Sequence, residues 1–287
     1  MRLPNLLVTP AWLSGHLKHP GVAILDVRWS SSGGPTATRR AYEDGHIPGA
    51  GYIDVDRDLA AAPFVGGPGR HPLPTPETFA AKMAAHGIDD EMFVVVYDDV
   101  RGSVAARLWW MLWITGHQVA LLDGGLEAWT REGGTLERGA PKPRDRALFT
   151  SLPWPPDRVV HAGAVDSTIR AGTAPVLDAR VEERYRGDVE TIDPVAGHIP
   201  GARSAAWTGN LDEDGSFLAP EALRARFEAL GVTGDAAIAY CGSGVTSCHD
   251  LLALRLAGFG DARLYEGSWS DWVHEGDRPV ATGPDPG

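Results

Sequence analysis

The chain has 287 residues, 43% of them hydrophobic and 22% charged, an ordinary globular composition long enough for two domains that each bury a core. A formal net charge of −12 argues against nucleic acid or an anionic membrane as the main partner, and no apolar run reaches membrane length. Two cysteines, Cys241 and Cys248, are too few for a disulfide framework, and the Cys-x6-Cys-His spacing fits no structural metal pattern. Neither a metal nor a cofactor is expected. Met1-Arg2-Leu3-Pro4 lacks a signal-peptide layout, so the expected location is cytoplasmic.

Along the chain, the first short apolar run is Ile24-Leu25-Asp26-Val27-Arg28, followed by Tyr42-x3-His46-Ile47-Pro48-Gly49-Ala50. The proline and glycine of that segment mark a turn entering a strand, which makes His46 structural rather than catalytic. Tyr52-Ile53-Asp54-Val55-Asp56, a Gly-rich stretch Gly66-Gly67-Pro68-Gly69, and His71-Pro72-Leu73-Pro74 come next. Helical patterns over Pro76–His86 and Val104–Thr115 flank the apolar run Val94-Val95-Val96-Tyr97-Asp98. Residues 137–156, dense in Pro, Lys and Arg and without periodicity, read as a linker.

Beyond the linker the elements return. Val176-Leu177-Asp178-Ala179-Arg180 and Gly197-His198-Ile199-Pro200-Gly201-Ala202 repeat the first two segments at one offset, 178 − 26 = 198 − 46 = 152. Ala237–Cys241 and Glu266–Trp272 repeat Val94–Asp98 and Asp123–Trp129 at another, 241 − 98 = 272 − 129 = 143. The shorter offset places an insertion in the first copy. Two matched pairs make this a domain duplication, with a first domain at 1–136 and a second at 157–287. Short Val/Ile/Leu runs alternating with helical patterns, including Pro220–Leu230, predict the α/β class, each domain a parallel sheet with helices on both faces.

Cys241 opens the run Cys241-Gly242-Ser243-Gly244-Val245-Thr246, after the apolar stretch Ala236–Tyr240 and before a helical pattern over Ser247–Ala257. A lone cysteine at a strand end is usually a small buried hydrophobe, and Cys248 reads that way. Cys241 differs because its predicted place is a strand's carboxyl end facing a helix N-terminus, where a thiolate is favoured. Gly242 and Gly244 let the backbone curl so that several N–H groups point at one anion. A thiolate held so can carry a second, transferable sulfur.

That run, the Tyr42-x3-His46-Ile47-Pro48-Gly49-Ala50 pattern and Gly267-Ser268-Trp269-Ser270-Asp271-Trp272 resemble the rhodanese-type sulfurtransferases, and the neutral Cys-Gly-Ser-Gly-Val-Thr loop is similar to their 3-mercaptopyruvate branch. The resemblance covers nearly the whole chain and implies tandem rhodanese-like domains. It implies a persulfide on Cys241, bound by the amides of Gly242, Gly244, Val245 and Thr246, and a donor carboxylate gripped by Arg184 in the segment Asp178–Gly187. Arg180 has a structural role. The branch's second carboxylate-binding arginine is missing, since the matching stretch, Asp188–Pro194, is acidic; Arg186 could substitute. Asp98 stands where the first copy would have its cysteine, and that domain is expected to be silent, serving as a wall of the active cleft.

Losing sulfur from mercaptopyruvate leaves an enolate that needs a proton. The resemblance implies a relay in which Ser243 links Cys241 to His71 and Asp56, with Asp54 as fallback, orients the imidazole. The expected partners are a small-molecule sulfur donor and an acceptor such as thioredoxin, a low-molecular thiol or cyanide. Thiosulfate is the alternative donor, although Gly242 and Ser243 lack the cationic side chains that such enzymes place in this loop. A cysteine phosphatase would need Cys-x5-Arg, and Ser247 stands in the arginine's place. A non-catalytic binding module would typically lack Cys241.

Overall fold

A computed structural model describes residues 6–30, 33–65, 67–142, 144–234 and 236–287; the Met1–Pro4 segment and Gly66 lie outside these. The chain forms two compact units. The first runs to Ala60 and resumes with Pro74–Trp154 and Glu213–Ser216; the second comprises Ala61–Leu73, Pro155–Asp212 and Phe217–Gly287. Cuts at 136 and 157 would thus misplace two segments: residues 61–73 pack with the second unit and residues 213–216 with the first.

In chain order the first unit carries β1 (Leu7–Val8), α1 (Pro10–His16), β2 (Val22–Asp26), α2 (Gly34–Asp44), β3 (Gly51–Tyr52), α3 (Val55–Asp58), α4 (Pro76–Ala85), β4 (Phe93–Tyr97), α5 (Ala105–Ile114), β5 (Val119–Leu122) and α6 (Gly125–Arg131). Its five strands are all parallel, in the order β1-β5-β4-β2-β3. Every residue of β2 and β4 is buried, which is why these strands read as unbroken apolar runs rather than alternations. Residues 137–142 and 144–154 strap this unit: Glu137 and His46 form a two-way backbone bridge, and Trp154 Nε1 donates to the Pro74 carbonyl at 2.8 Å.

The second unit repeats the plan with β6 (Val159–Val160), α7 (Ala162–Ala171), β7 (Val176–Asp178), α8 (Glu182–Arg186), β8 (Arg203–Ser204), α9 (Pro220–Ala229), β9 (Ile238–Tyr240), α10 (Ser247–Leu256), β10 (Arg263–Tyr265) and α11 (Ser268–Trp272). Its parallel sheet runs β6-β10-β9-β7-β8, the same order one copy on.

The repeated His-Ile-Pro-Gly-Ala segments hold the sheets' ends. His46 Nδ1 donates to the Tyr42 carbonyl at 2.9 Å and its ring stacks on Tyr42 at 3.9 Å; His198 does the same to Tyr185 at 2.8 and 3.8 Å. The Ile47 and Ile199 N–H groups donate to the Tyr97 and Tyr240 hydroxyls. Both histidines are structural here. Arg28 and Arg180 are buried against Asp26 and Asp178 and donate to the Gly45 and Gly197 carbonyls, tying the end of β2 or β7 to the turn.

Each copy also holds a length of chain that the other lacks. The step from β3 to α4 is longer than that from β8 to α9, 76 − 52 = 24 against 220 − 204 = 16 residues. In the second copy the tyrosine and histidine that stack are 13 residues apart instead of 4. That second insertion carries the acidic stretch Asp188–Pro194.

Candidate active site

β9 is the middle strand of its sheet, with β10 and β7 on either side, and its buried Ile238-Ala239-Tyr240 delivers Cys241 at the carboxyl end. In open parallel sheets that end is where ligands bind. The following loop is clamped by the β10–α11 turn. Cys241 N–H donates to Ser268 Oγ at 3.1 Å, while the Trp269 and Ser270 N–H groups donate to the Cys241 and Gly242 carbonyls at 3.0 and 2.9 Å. Gly244 has φ +77°, and a Cβ there would lie 2.4 Å from the Glu266 carbonyl oxygen. That carbonyl leaves room only for glycine. Cys241 is a free thiol, 2% exposed. Cys248, fully buried on α10, points its sulfur at the Gly244 carbonyl at 3.4 Å, the packing expected of an inert thiol.

The 61–73 segment brings a second set of groups to this loop. Gly69 sits at φ +79°, where any Cβ would be 2.5 Å from the Gly267 carbonyl oxygen. The Arg70 N–H donates to Ser270 Oγ at 3.1 Å and the Leu73 N–H to Glu266 Oε2 at 3.1 Å. Held at both ends, His71 is 7% exposed, and its Nδ1 is hydrogen-bonded to Ser243 Oγ at 2.7 Å. Two of the residues predicted to serve Cys241 are therefore in direct contact, 172 positions apart in sequence. Asp56 belongs to the first unit, on α3, and accepts from Trp29 Nε1 at 3.1 Å; Asp54 caps the same helix by accepting from the Asp56 and Arg57 N–H groups.

Around Gly242 the arginines meet the acidic insertion. Arg184 forks onto Glu190 with Nε at 3.1 Å and Nη2 at 2.8 Å, and reaches Asp193 at 3.2 Å. Arg70 pairs with the other oxygen of Asp193. Burial would raise the Glu190 carboxyl, but the Asp193 and Ile192 N–H groups and the Arg184 guanidinium outweigh it and hold the group low. At Asp193 burial prevails over Arg70 and Arg184 and the carboxyl is pushed up. Arg186 turns elsewhere, bonding Asp188 at 2.8 Å and lying 3.7 Å from Glu182. Sequence reasoning passed over Arg70, whose only available signal was its place beside His71.

The corresponding loop of the first unit closes around a carboxyl group. Asp98, fully buried at the end of β4, accepts four backbone N–H bonds: Val100 and Gly102 on one oxygen at 2.9 and 2.7 Å, Val104 and Ala105 on the other at 2.8 Å each. Burial pushes this carboxyl up, against the pull of the amides. The left-handed kink is in register as well: Arg101 at φ +57° matches Gly244 at the offset of 143.

The Rhodanese-like domain family matches the chain twice, over residues 9–132 and 161–275. The chain belongs to the rhodanese family of sulfurtransferases. This rhodanese is 47% identical to a probable 3-mercaptopyruvate sulfurtransferase of Pseudomonas aeruginosa across 96% of this chain and 98% of that protein. It is 35% identical to the thiosulfate sulfurtransferase of Bos taurus across 95% and 93%. Among solved structures it resembles the 3-mercaptopyruvate sulfurtransferase SseA of Escherichia coli, with a TM-score of 0.81 at 34% identity, covering 93% of this rhodanese and all of that chain. Two parallel sheets with the same strand order agree with that tandem architecture. Among the described residues no helix is long and apolar enough to cross a membrane.

Proposed function

We propose that this rhodanese transfers sulfur from 3-mercaptopyruvate through a persulfide on Cys241. The observation that carries the reading is the 2.7 Å contact between Ser243 and His71, two residues along the loop from Cys241. The Cys241 thiolate attacks the donor sulfur, the S–S bond forms as the C–S bond breaks, and the electron pair leaves on the three-carbon fragment as an enolate. The proton lost by the donor thiol is returned to that carbon, giving pyruvate, and Ser243 with His71 is the pair placed to pass it. The backbone amides of residues 242–246 hold the outer sulfur of the persulfide. An acceptor thiolate or cyanide then takes that sulfur and restores the thiolate. Thioredoxin or a low-molecular thiol is the acceptor class, the location is cytoplasmic, and Asp56 orients the imidazole; all three rest on the sequence.

The test is intact-mass analysis after donor treatment. Mercaptopyruvate should add one sulfur, roughly 32 Da, on the peptide carrying Cys241, Cys241→Ser should take up none and transfer none, and Cys248→Ser should retain most of the activity. Sulfur found mainly on Cys248 would overturn the assignment. Thiosulfate is the second reading. It is supported by the guanidinium groups of Arg70 and Arg184 beside Gly242, which supply cationic groups that the loop itself lacks; the same assay with thiosulfate compares the two donors.

A further inference from the structure

Arg70 and Arg184 come from segments more than a hundred residues apart, yet their guanidinium groups share one carboxylate, that of Asp193. Behind them Asp193 and Glu190 are almost wholly buried, 3% exposed each, whereas Arg70 and Arg184 remain 26% and 18% exposed. Each arginine is therefore fixed from the buried side and open on the other. The nitrogens nearest to Gly242 are Arg70 Nη2 and Arg184 Nη1, 3.1 and 3.6 Å from where a Cβ would stand. Asp193 does not take Arg70 Nη2, and neither Glu190 nor Asp193 bonds Arg184 Nη1. Two guanidinium nitrogens thus lie close to one point beside the residue next to the nucleophile, near enough together to share one carboxylate.

We propose that Arg70 is the second arginine of the donor site, gripping the donor's carboxylate together with Arg184 above Gly242. This rests on the assignment of a 2-oxo carboxylate donor given above. It replaces Arg186 in that role and accounts for the acidic stretch where a second arginine was missing: Asp193 and Glu190 hold the two guanidinium groups in place. With two arginines against two carboxylates the cluster has no net charge, so it selects a ligand by directed N–H groups more than by field. Gly242 is part of the selection, because any side chain there would press on Arg70 Nη2.

The experiment compares wild type, Arg70→Ala and Arg70→Lys in two half-reactions. For sulfur uptake from 3-mercaptopyruvate, Arg70→Ala should raise KM about 30- to 100-fold, and Arg70→Lys should recover only part of the loss, since an ammonium cannot reproduce the fork. Competitive inhibition by 3-mercaptopropionate, which offers a carboxylate, should weaken in parallel. Discharge of the preformed persulfide by cyanide involves no donor carboxylate and should stay within about twofold of wild type, a readout that a merely structural role would not spare. An unchanged KM in Arg70→Ala, or an equal loss in both half-reactions, overturns the role of Arg70 while leaving the donor assignment standing. Failure of the wild type to take sulfur from mercaptopyruvate removes the donor assignment, and this inference with it.

Discussion

The loops at the ends of β4 and β9 have the same placement and the same left-handed bend, and differ in the residue that opens them. In the first unit Asp98 fills the ring of amides with its own carboxylate. In the second, the side chain of Cys241 ends one bond nearer its Cα. An aspartate side chain ends in an oxygen three bonds from Cα by way of Cβ and Cγ; a cysteine reaches the same length only when its sulfur carries another. On the proposed mechanism the Asp98 carboxyl occupies its ring of amides as the outer sulfur of a Cys241 persulfide would occupy the other. In the first copy a side chain already fills the ring of amides.

That comparison can be broken or sharpened by experiment. The largest effect is expected at the active loop's partner: His71→Ala should impair turnover of mercaptopyruvate more than that of thiosulfate, by a selective factor on the order of 100, because only the first leaving group needs a proton. Equal losses with both donors would reduce His71 to shaping the loop. At the Asp98 loop, Asp98→Ala orphans four N–H groups, three of them in buried hydrogen bonds, and should cost about 3 kcal/mol in denaturant unfolding, with cyanide discharge of the Cys241 persulfide unchanged. A variant as stable as wild type would mean that the amides find other partners and that the nest is not built around an anion.

The smallest effect separates the helices that follow the loops. At the offset of 143, Asp250 on α10 takes the place of Arg107 on α5, and both are fully buried. Burial, opposed by Arg226 and by the Asn210 side chain donating at 2.6 Å, pushes the Asp250 carboxyl up to about 7. Between the unfolded value near 3.8 and about 7 the folded protein holds a proton that the unfolded chain has lost. Stability from this group is therefore fully present below pH 4 and declines as pH rises toward 7, at no more than about 1.4 kcal/mol per unit. Asp250→Asn should flatten that decline in unfolding free energy measured from pH 4 to 8; an unaltered slope would assign it to other groups.

Much of this was legible from spacing alone. The duplication, the parallel sheets and the place of Cys241 follow from repeated apolar runs and two constant offsets, because strand and turn chemistry is local. The structural roles of His46, His198 and Arg180 were legible for the same reason. The donor grip was not. Arg70 lies among glycines and prolines with no periodicity, and its carboxylate partner is 123 residues away. The acidic stretch at 188–194 looked like a lost arginine until Glu190 and Asp193 were seen to hold Arg184 and Arg70. Pairings between two insertions leave no pattern in either one.

Those insertions decide how finely the chain can be divided. A fragment starting at Pro155 would keep both cysteines, the β9 loop and Arg184, and would look by repeat boundaries like an independent catalytic module. It would lack residues 61–73, leaving Ser243 without His71, Asp193 without Arg70, and the Glu266 and Ser270 side chains without the Leu73 and Arg70 amides they accept from. A gene encoding only the cysteine-bearing half would therefore pass on Cys241 without the His71 and Arg70 that pack beside its loop.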